Sequence, residues 1–436
     1  MNPLAIELNN AIQEQTPSVY KMLSQLGLEM FMPKGILTQG AQAKEKAYKF
    51  NATIGIATKG GTPIHLDCLH KHLQDFAPAD LYTYAPTTGR MDLRKAWKEK
   101  QLHENPSLKD KNTGLPIVTN ALTHGLSIVA DLFCNDGDYV VMPDKFWGNY
   151  RLTFNTRRGG LVSTFPIFNE AGGFNVEGML AKVEECGKLR PKVILVLNFP
   201  NNPTGYTPTP AEAFRIVKGL KALADNGTQI VAIIDDAYFG MFYEDSIKES
   251  LFGMLTHLSP NLLPIKLDGA TKEIFVWGFR VGFITFGSTT ANDESKALEA
   301  LEKKVAGAIR GTISNVTHPS QTFVAAALKD PDFEAERKAN VEILKERALK
   351  SKQILSNPKY ADQFTVYPFN SGYFLCLRLL HVDSEKLRMH LLDKYGVGAI
   401  STSATDLRIA FSCIEVGDLE ELFDIVYKGC TDLANA

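Results

Sequence analysis

Apolar positions recur along this chain in two rhythms. From Ile117 onward, short continuous apolar runs alternate with longer stretches whose apolar residues fall at helical spacing. That is the pattern of buried strands exchanged with amphipathic helices. Ile117–Thr119, Tyr139–Met142, Lys192–Leu197, Gln229–Ile234 and Ile274–Phe286 read as strands, with helices over Thr123–Phe133 and Ala211–Asp225. A further helix is predicted from Met91 to about Leu102, after a turn-rich loop over Tyr82–Gly89. Residues 1 to 50 read mainly as helix, with Val19, Met22, Leu23 and Leu26 at i, i+3, i+4 and i+7. Asn51–Gly61 is Gly/Thr-rich and reads as a loop. After about Pro319 the character changes. A long charged helix over Phe333–Leu355 is followed by Phe364–Tyr367, Tyr373–Arg378, a helix over Ser384–Tyr395, a strand over Leu407–Phe411 and a last helix near Asp418–Lys428. The alternation predicts an α/β fold, a mostly parallel sheet covered by helices, with a smaller α+β domain after it. The expected division is an N-terminal arm over 1–60 that is part of the small domain, a large domain over 61–320 and the C-terminal small domain over 321–436.

Composition narrows the functional classes. The chain has 436 residues, 44% hydrophobic and 22% charged, with a formal net charge of -2. Arg157-Arg158 and Lys303-Lys304 are isolated basic pairs, so nucleic acid and anionic membrane are poor expectations for a partner. No apolar run approaches the roughly 20 residues that span a bilayer. Met1 to Asn10 has no basic segment followed by an apolar core, so it does not read as a secretory signal. The six cysteines are scattered without a Cys-x-x-Cys, which fits reduced thiols and a cytoplasmic protein. His65, Cys68, His70 and His72 match no standard zinc spacing, and no metal is expected. There is no G-x-G-x-x-G after a strand, no G-x-S-x-G and no H-E-x-x-H.

The chemistry gathers around Lys272. A turn-like Asp268-Gly269 precedes it, and an apolar run that contains Arg280 follows. A lysine at the mouth of a buried strand suits Schiff-base formation with an aldehyde. A nearby arginine suits a phosphate; its bland alternative is an ion pair with a carboxylate. Four further signals stand where predicted strands end, the place open α/β sheets put ligands. Asn198-Phe199-Pro200-Asn201-Asn202-Pro203-Thr204-Gly205 is turn chemistry. Asp235-Asp236-Ala237-Tyr238 closes a buried strand with carboxylates, only one of which can face a pocket because strand side chains alternate. The turn from Thr119 to Leu126 offers amides to a phosphate at a helix start. In Phe146-Trp147-Gly148-Asn149-Tyr150 an aromatic could stack on a planar ligand or simply pack.

Taken in this order, Asn-Pro-Thr-Gly, Asp-x-Ala-Tyr and Lys with Arg eight residues on resemble the class I/II, fold type I pyridoxal-phosphate-dependent aminotransferases, the family that includes aspartate aminotransferase. The resemblance runs from about Tyr84 to Arg408. It implies a fold type I transferase with pyridoxal 5'-phosphate as cofactor, held covalently by Lys272, which would also act as the base. It implies that Asp235 pairs with the pyridine nitrogen, that Tyr238 and Asn202 bond the ring hydroxyl oxygen, and that Trp147 stacks on the ring. Arg280, Thr123 and the amides of Ala121 and Leu122 would bind phosphate. Tyr84 would reach the phosphate of a neighbouring subunit, implying a homodimer. Arg408 would clamp the substrate carboxylate, with a backbone amide of Gly55 nearby. The expected substrates are an L-amino acid (aspartate, glutamate or an aromatic one) and a 2-oxo acid such as 2-oxoglutarate.

The chain departs from the family at Gly269, where a hydroxyl residue is frequent, and at Ala121 and Leu122, where Gly and a hydroxyl residue are common; this touches the phosphate cup. Ile309-Arg310-Gly311-Thr312-Ile313-Ser314-Asn315 resembles the segment whose arginine binds a distal substrate carboxylate across the dimer interface. The alternative is that Arg310 only ends a helix, where a cation favours the dipole. Other readings left open are a β-eliminating C–S lyase and a ligand-sensing regulator on the same fold. The regulator lacks the basic DNA-binding module expected beside it.

Overall fold

The computed structural model describes residues 1–15, 23, 28, 36–53, 55–71 and 75–435. Of the predicted stripe Val19, Met22, Leu23 and Leu26, only Leu23 is among them, so that helix lies outside the described residues. Pro3–Gln15 and Ile36–Lys46 are helical.

A seven-stranded sheet forms the centre. Its strands in chain order are β1 (Ile117–Asn120), β2 (Tyr139–Pro143), β3 (Leu161–Phe165), β4 (Lys192–Asn198), β5 (Gln229–Asp235), β6 (Leu262–Gly269) and β7 (Val281–Phe286). The spatial order is β1-β7-β6-β5-β4-β2-β3. Pairings from β6 through β3 are parallel, and β7 is antiparallel to both its neighbours. The period of two divides the sheet between two apolar layers. Ile194, Val196 and Ile233 pack into one, while Val193, Leu195, Leu197 and Ile234 pack into the other. A sheet covered on both faces is what continuous apolar strands require. The covering helices carry clear end signals. Pro210–Asp225 starts with Pro and a capping box in which Thr209 and Glu212 bond each other's backbone amides.

A four-stranded sheet follows, made of β8 (Phe364–Val366), β9 (Leu375–Leu379), β10 (Ile400–Ser401) and β11 (Asp406–Ile409) in the order β8-β9-β11-β10. The helices Phe333–Leu355, Ser384–Tyr395 and Leu419–Ala434 accompany it. Asp383 caps the second of these at its start, and Gly396 in the left-handed region ends it. The early chain joins this unit, because Phe50–Asn51 pairs in parallel with Val397–Gly398.

Among the elements the pattern missed are β3, β6 and the helices Val176–Leu189 and His318–Ala327, and it overextended one strand. Residues 274–280 are not strand; they carry a short 3-10 turn at Trp277–Phe279, and β7 begins only at Val281. Arg280 is therefore not in a buried run. It is exposed, with φ 57° in the left-handed region. Asp268-Gly269 is the end of β6 rather than a turn, and Lys272 stands on the short helix Ala270–Glu273 that follows. β6 escaped notice because Pro264, Lys266 and Asp268 interrupt its apolar positions. All three are buried, the two charged ones held by partners described below.

Candidate active site

The ends of β1, β4 and β5 and the turn after β6 converge on one cavity of about 190 Å³. Lys272, Asp235, Tyr238, Asn202 and Trp147 line it, as do Ala121, Leu122 and Thr123. Gly55, Arg280 and Arg408 complete the predicted set within it. Tyr84 and Arg310 do not line it; both are exposed. Their segments touch, since Asn315 Nδ2 donates to the carbonyl of Ala85 at 2.9 Å, and Arg310 Nη1 donates to Ser314 Oγ at 2.6 Å.

Alternation along β5 aims Asp235 at the cavity and turns Asp236 away from it. Asp235 Oδ2 accepts from Tyr150 Oη at 2.7 Å and Oδ1 accepts from the amide of Ala237 at 3.1 Å. Burial raises the Asp235 carboxyl; Tyr150, Lys272, the Ala237 amide and Asn198 pull the other way. Asn198 Nδ2 donates to the carbonyl of Asp235 at 2.9 Å, and its Oδ1 accepts from the amide of Asn202 at 2.9 Å. The last residue of β4 thus fixes both the carboxylate and the loop that follows.

Lys272 Nζ lies 4.9 Å from the centre of the Tyr238 ring. Burial lowers its pKa to about 8, Asp235 opposes that, and Arg280 adds to it. Its backbone is tied by Tyr373 Oη, which donates to the Lys272 carbonyl at 3.1 Å. A lysine near neutrality is both a nucleophile and a proton carrier.

Arg408, on β11, is 2% exposed and has no carboxylate partner among the described residues. Nη1 donates to Asn202 Oδ1 and Nη2 to the carbonyl of Thr53, both at 2.9 Å, and the guanidinium lies 4.1 Å from the centre of the Phe374 ring. Nε has no partner. A buried guanidinium held only by neutral acceptors lacks its counter-charge, so the cavity calls for an anion. A β-carbon on Gly55 would lie 3.2 Å from Phe374 Cζ, so a glycine here keeps the backbone open beside that stack.

The two departures at the phosphate turn have a structural cause. A β-carbon on Gly269 would lie 2.7 Å from the Val281 carbonyl oxygen and 2.9 Å from Leu122 Cδ1. Residue 269 has no room for a hydroxyl side chain, and Leu122 fills the adjoining space. Ala121 holds φ 62°, where glycine is at ease and alanine is strained. The residue facing it, Gly282, is needed because its β-carbon would come within 2.7 Å of Ala121. The turn keeps a glycine-type backbone with an alanine in it.

Tyr150, Asn198, Phe374, Ala237 and Thr271 also line the cavity and were given no role from sequence. Tyr150 and Asn198 belong to the Phe146–Tyr150 and Asn198–Gly205 segments, and Ala237 and Thr271 to the segments around Asp235 and Lys272. Phe374 had no comparable signal.

Comparison with known proteins bears on the family and the fold. The family model described as aminotransferase class I and II matches residues 54–426. A probable aspartate/prephenate aminotransferase of Aquifex aeolicus is 26% identical over 330 residues, 74% of this chain and 76% of that protein. Among solved structures, an aminotransferase from Anaerococcus prevotii superposes with a TM-score of 0.81 at 22% identity, covering 93% of this chain and 97% of its own. The Pyrococcus horikoshii kynurenine aminotransferase, solved in complex with PMP, gives a TM-score of 0.80 at 18% identity over 96% and 99% of the two chains.

Proposed function

The chain belongs to the class I and II aminotransferases, and from that premise we propose that it exchanges the amino group of aspartate, glutamate or an aromatic L-amino acid with a 2-oxo acid such as 2-oxoglutarate. It is a pyridoxal-phosphate-dependent aminotransferase acting on an amino acid and an oxo acid. The proposal concerns the substrates and the residues that do the work.

The cavity's donors fit the cofactor: a lysine of lowered pKa, a buried carboxylate, and two arginines without carboxylate partners among the described residues. Bound pyridoxal phosphate supplies the aldehyde that takes up the amino group and an electron sink for the substrate's α-carbon. We assign Lys272 the attachment of the cofactor and, through Nζ, the carriage of the α-proton. Asp235 would hold a proton at the ring nitrogen, and Tyr150 and Asn198 hold Asp235. Tyr238 and Asn202 would serve the ring oxygen, Trp147 would pack against the ring, and Arg280, Thr123 and the amides of Ala121 and Leu122 would receive the phosphate. Arg408 takes the substrate carboxylate, with the Gly55 backbone beside it. The observation that carries this reading is Arg408, a buried cation with an unpartnered Nε at the wall of the cavity that holds Lys272.

We further propose a homodimer in which Tyr84 and Arg310, exposed here, reach the partner's cavity, with Arg310 selecting a distal carboxylate. The Aquifex relative's printed name, which includes aspartate, supports that substrate class. We propose the division into 1–60 with 321–436 and 61–320, supported by the pairing of Phe50–Asn51 with Val397–Gly398. A cytoplasmic location and a role in amino-acid metabolism complete the proposal; the described cysteines form no disulfide with one another, which supports the first. The test is a half-reaction screen, in which cofactor-loaded protein meets each common amino acid and its absorption spectrum is followed. Conversion with aspartate, glutamate or an aromatic amino acid is expected. No conversion with any of them sinks the proposal.

A further inference from the structure

Lys145 stands just beyond β2, two residues before Trp147, and Asp406 opens β11, two residues before Arg408. The two side chains meet across the space between the sheets. Lys145 Nζ donates to Asp406 Oδ2 at 2.7 Å, and the pair is nearly closed to solvent, with side chains 14% and 5% exposed. Asp406 Oδ1 accepts from Tyr367 Oη at 3.0 Å, and the ammonium sits 4.5 Å from the centre of the same tyrosine ring. The Lys145 carbonyl accepts from Asn201 Nδ2 at 3.3 Å, which ties the pair to the loop that carries Asn202. Burial works against the Lys145 charge, yet Asp406 more than offsets it and holds the pKa above the ordinary lysine range.

No member of this group lines the cavity. We propose that Lys145, Asp406 and Tyr367 form a positioning clamp that fixes Arg408 against Trp147 and Asn202, and so sets how tightly the substrate carboxylate is held. The inference rests on Arg408 being the carboxylate site. Three features support a clamp over an incidental surface bridge. The pair is shielded, so water and salt screen it little. The two oxygens of Asp406 take donors from two other segments, Lys145 on Oδ2 and Tyr367 on Oδ1, with the adjacent Thr405 Oγ1 also on Oδ1 at 3.3 Å. Each end of the pair lies two residues from a residue in the cavity wall. Along β11 that spacing returns to the same face of the sheet, so a tilt of the strand at Asp406 moves Arg408 with it.

A clamp of this kind acts on substrate binding more than on bond making or cofactor retention. Lys145→Met and Asp406→Asn are expected to raise KM for the amino acid about ten- to hundredfold, the range for losing a charged hydrogen bond. Meanwhile kcat and the dissociation constant for pyridoxal phosphate should stay within about threefold of wild type, the pattern of lost ground-state binding. Tyr367→Phe, which removes one hydroxyl and keeps the ring, should shift KM in the same direction by less. Lys145→Arg should keep KM near wild type. In the double variant Lys145→Met/Asp406→Asn, the KM increase should be close to that of either single change, since both break one contact. Two results overturn the clamp: KM effects that multiply in the double variant, or a fall in kcat and cofactor affinity that keeps step with KM. If wild type itself converts no amino acid while binding cofactor, the reading of Arg408 fails instead, and the two failures are told apart by that control.

Discussion

Asp235 and Asp236 are adjacent in the chain and almost equally buried, yet they belong to different surroundings. On the cavity side Asp235 faces Lys272, and Arg280 and Arg408 line the same cavity without a carboxylate partner among the described residues. On the other side Asp236 accepts from Lys266 Nζ and, at 2.6 Å, from Ser250 Oγ. Lys266 also lies 3.5 Å from Asp268, and behind it Lys100 bridges Glu104 and Glu273, with Arg337 on Glu104 at 3.1 Å. Every cation in that rear cluster has a protein carboxylate. The same contrast separates two buried arginines: Arg347 pairs with Glu415 at 2.8 Å, while Arg408 has only neutral acceptors. Buried ions paired within the chain hold elements together; buried or cavity-facing ions left unpaired mark where a charged ligand completes the structure.

The contrast can be broken at each pair. Lys272→Ala should abolish transamination and the visible absorption of bound cofactor, while Lys266→Met should spare the attachment and act on stability. Next in size, Asp235→Asn should cost several orders of magnitude in rate, because an amide cannot hold the ring-nitrogen proton by charge. Asp236→Asn should leave the rate within about tenfold and lower folding stability by about 3–5 kcal/mol, the cost of stranding a buried charge, read by denaturant unfolding. Were the two aspartates to show the opposite pattern, the cavity-side assignment of β5 would be wrong. Smaller again, Arg310→Ala should lower kcat/KM for aspartate and glutamate about ten- to hundredfold and hardly change phenylalanine. Equal losses would make it a structural helix-end residue.

The smallest effect is on pH dependence. In cofactor-free protein the Lys272 pKa is lowered from 10.5 to about 8. Between those values the unfolded chain binds a proton that the folded chain has released, so stability should rise with pH across that window. Lys272→Met should flatten that rise, as followed by urea midpoints at a series of pH values. Lys266, whose pKa lies above the ordinary range because Asp236 and Asp268 outweigh its burial, contributes no such rise.

The same contrast explains what could be read from the sequence. β4 and β5 were legible because their apolar runs are unbroken and end in polar residues that the cavity uses. β6 was not, because Lys266 and Asp268 look like surface residues until their partners on other segments are known. Arg280 was assigned to the cavity and does line it, but as an exposed residue on a left-handed turn, a conformation no periodicity reveals. Phe374 reaches Arg408 only through the pairing of β9 with β11, a long-range register that carries no local signal. Lys145 and Asp406 are far apart in sequence and ordinary in composition, and only the approach of the two sheets joins them.

The most direct test sets Lys272 against Lys266. Protein loaded with pyridoxal phosphate is reduced with borohydride, digested and mapped by mass spectrometry, so that the lysine attached to the cofactor carries a permanent label. The expected result is label on Lys272 alone, lost when an amino-acid substrate is added before reduction. Label on Lys266, label spread over surface lysines, or no label at all would contradict the division of the two faces on which the functional reading stands.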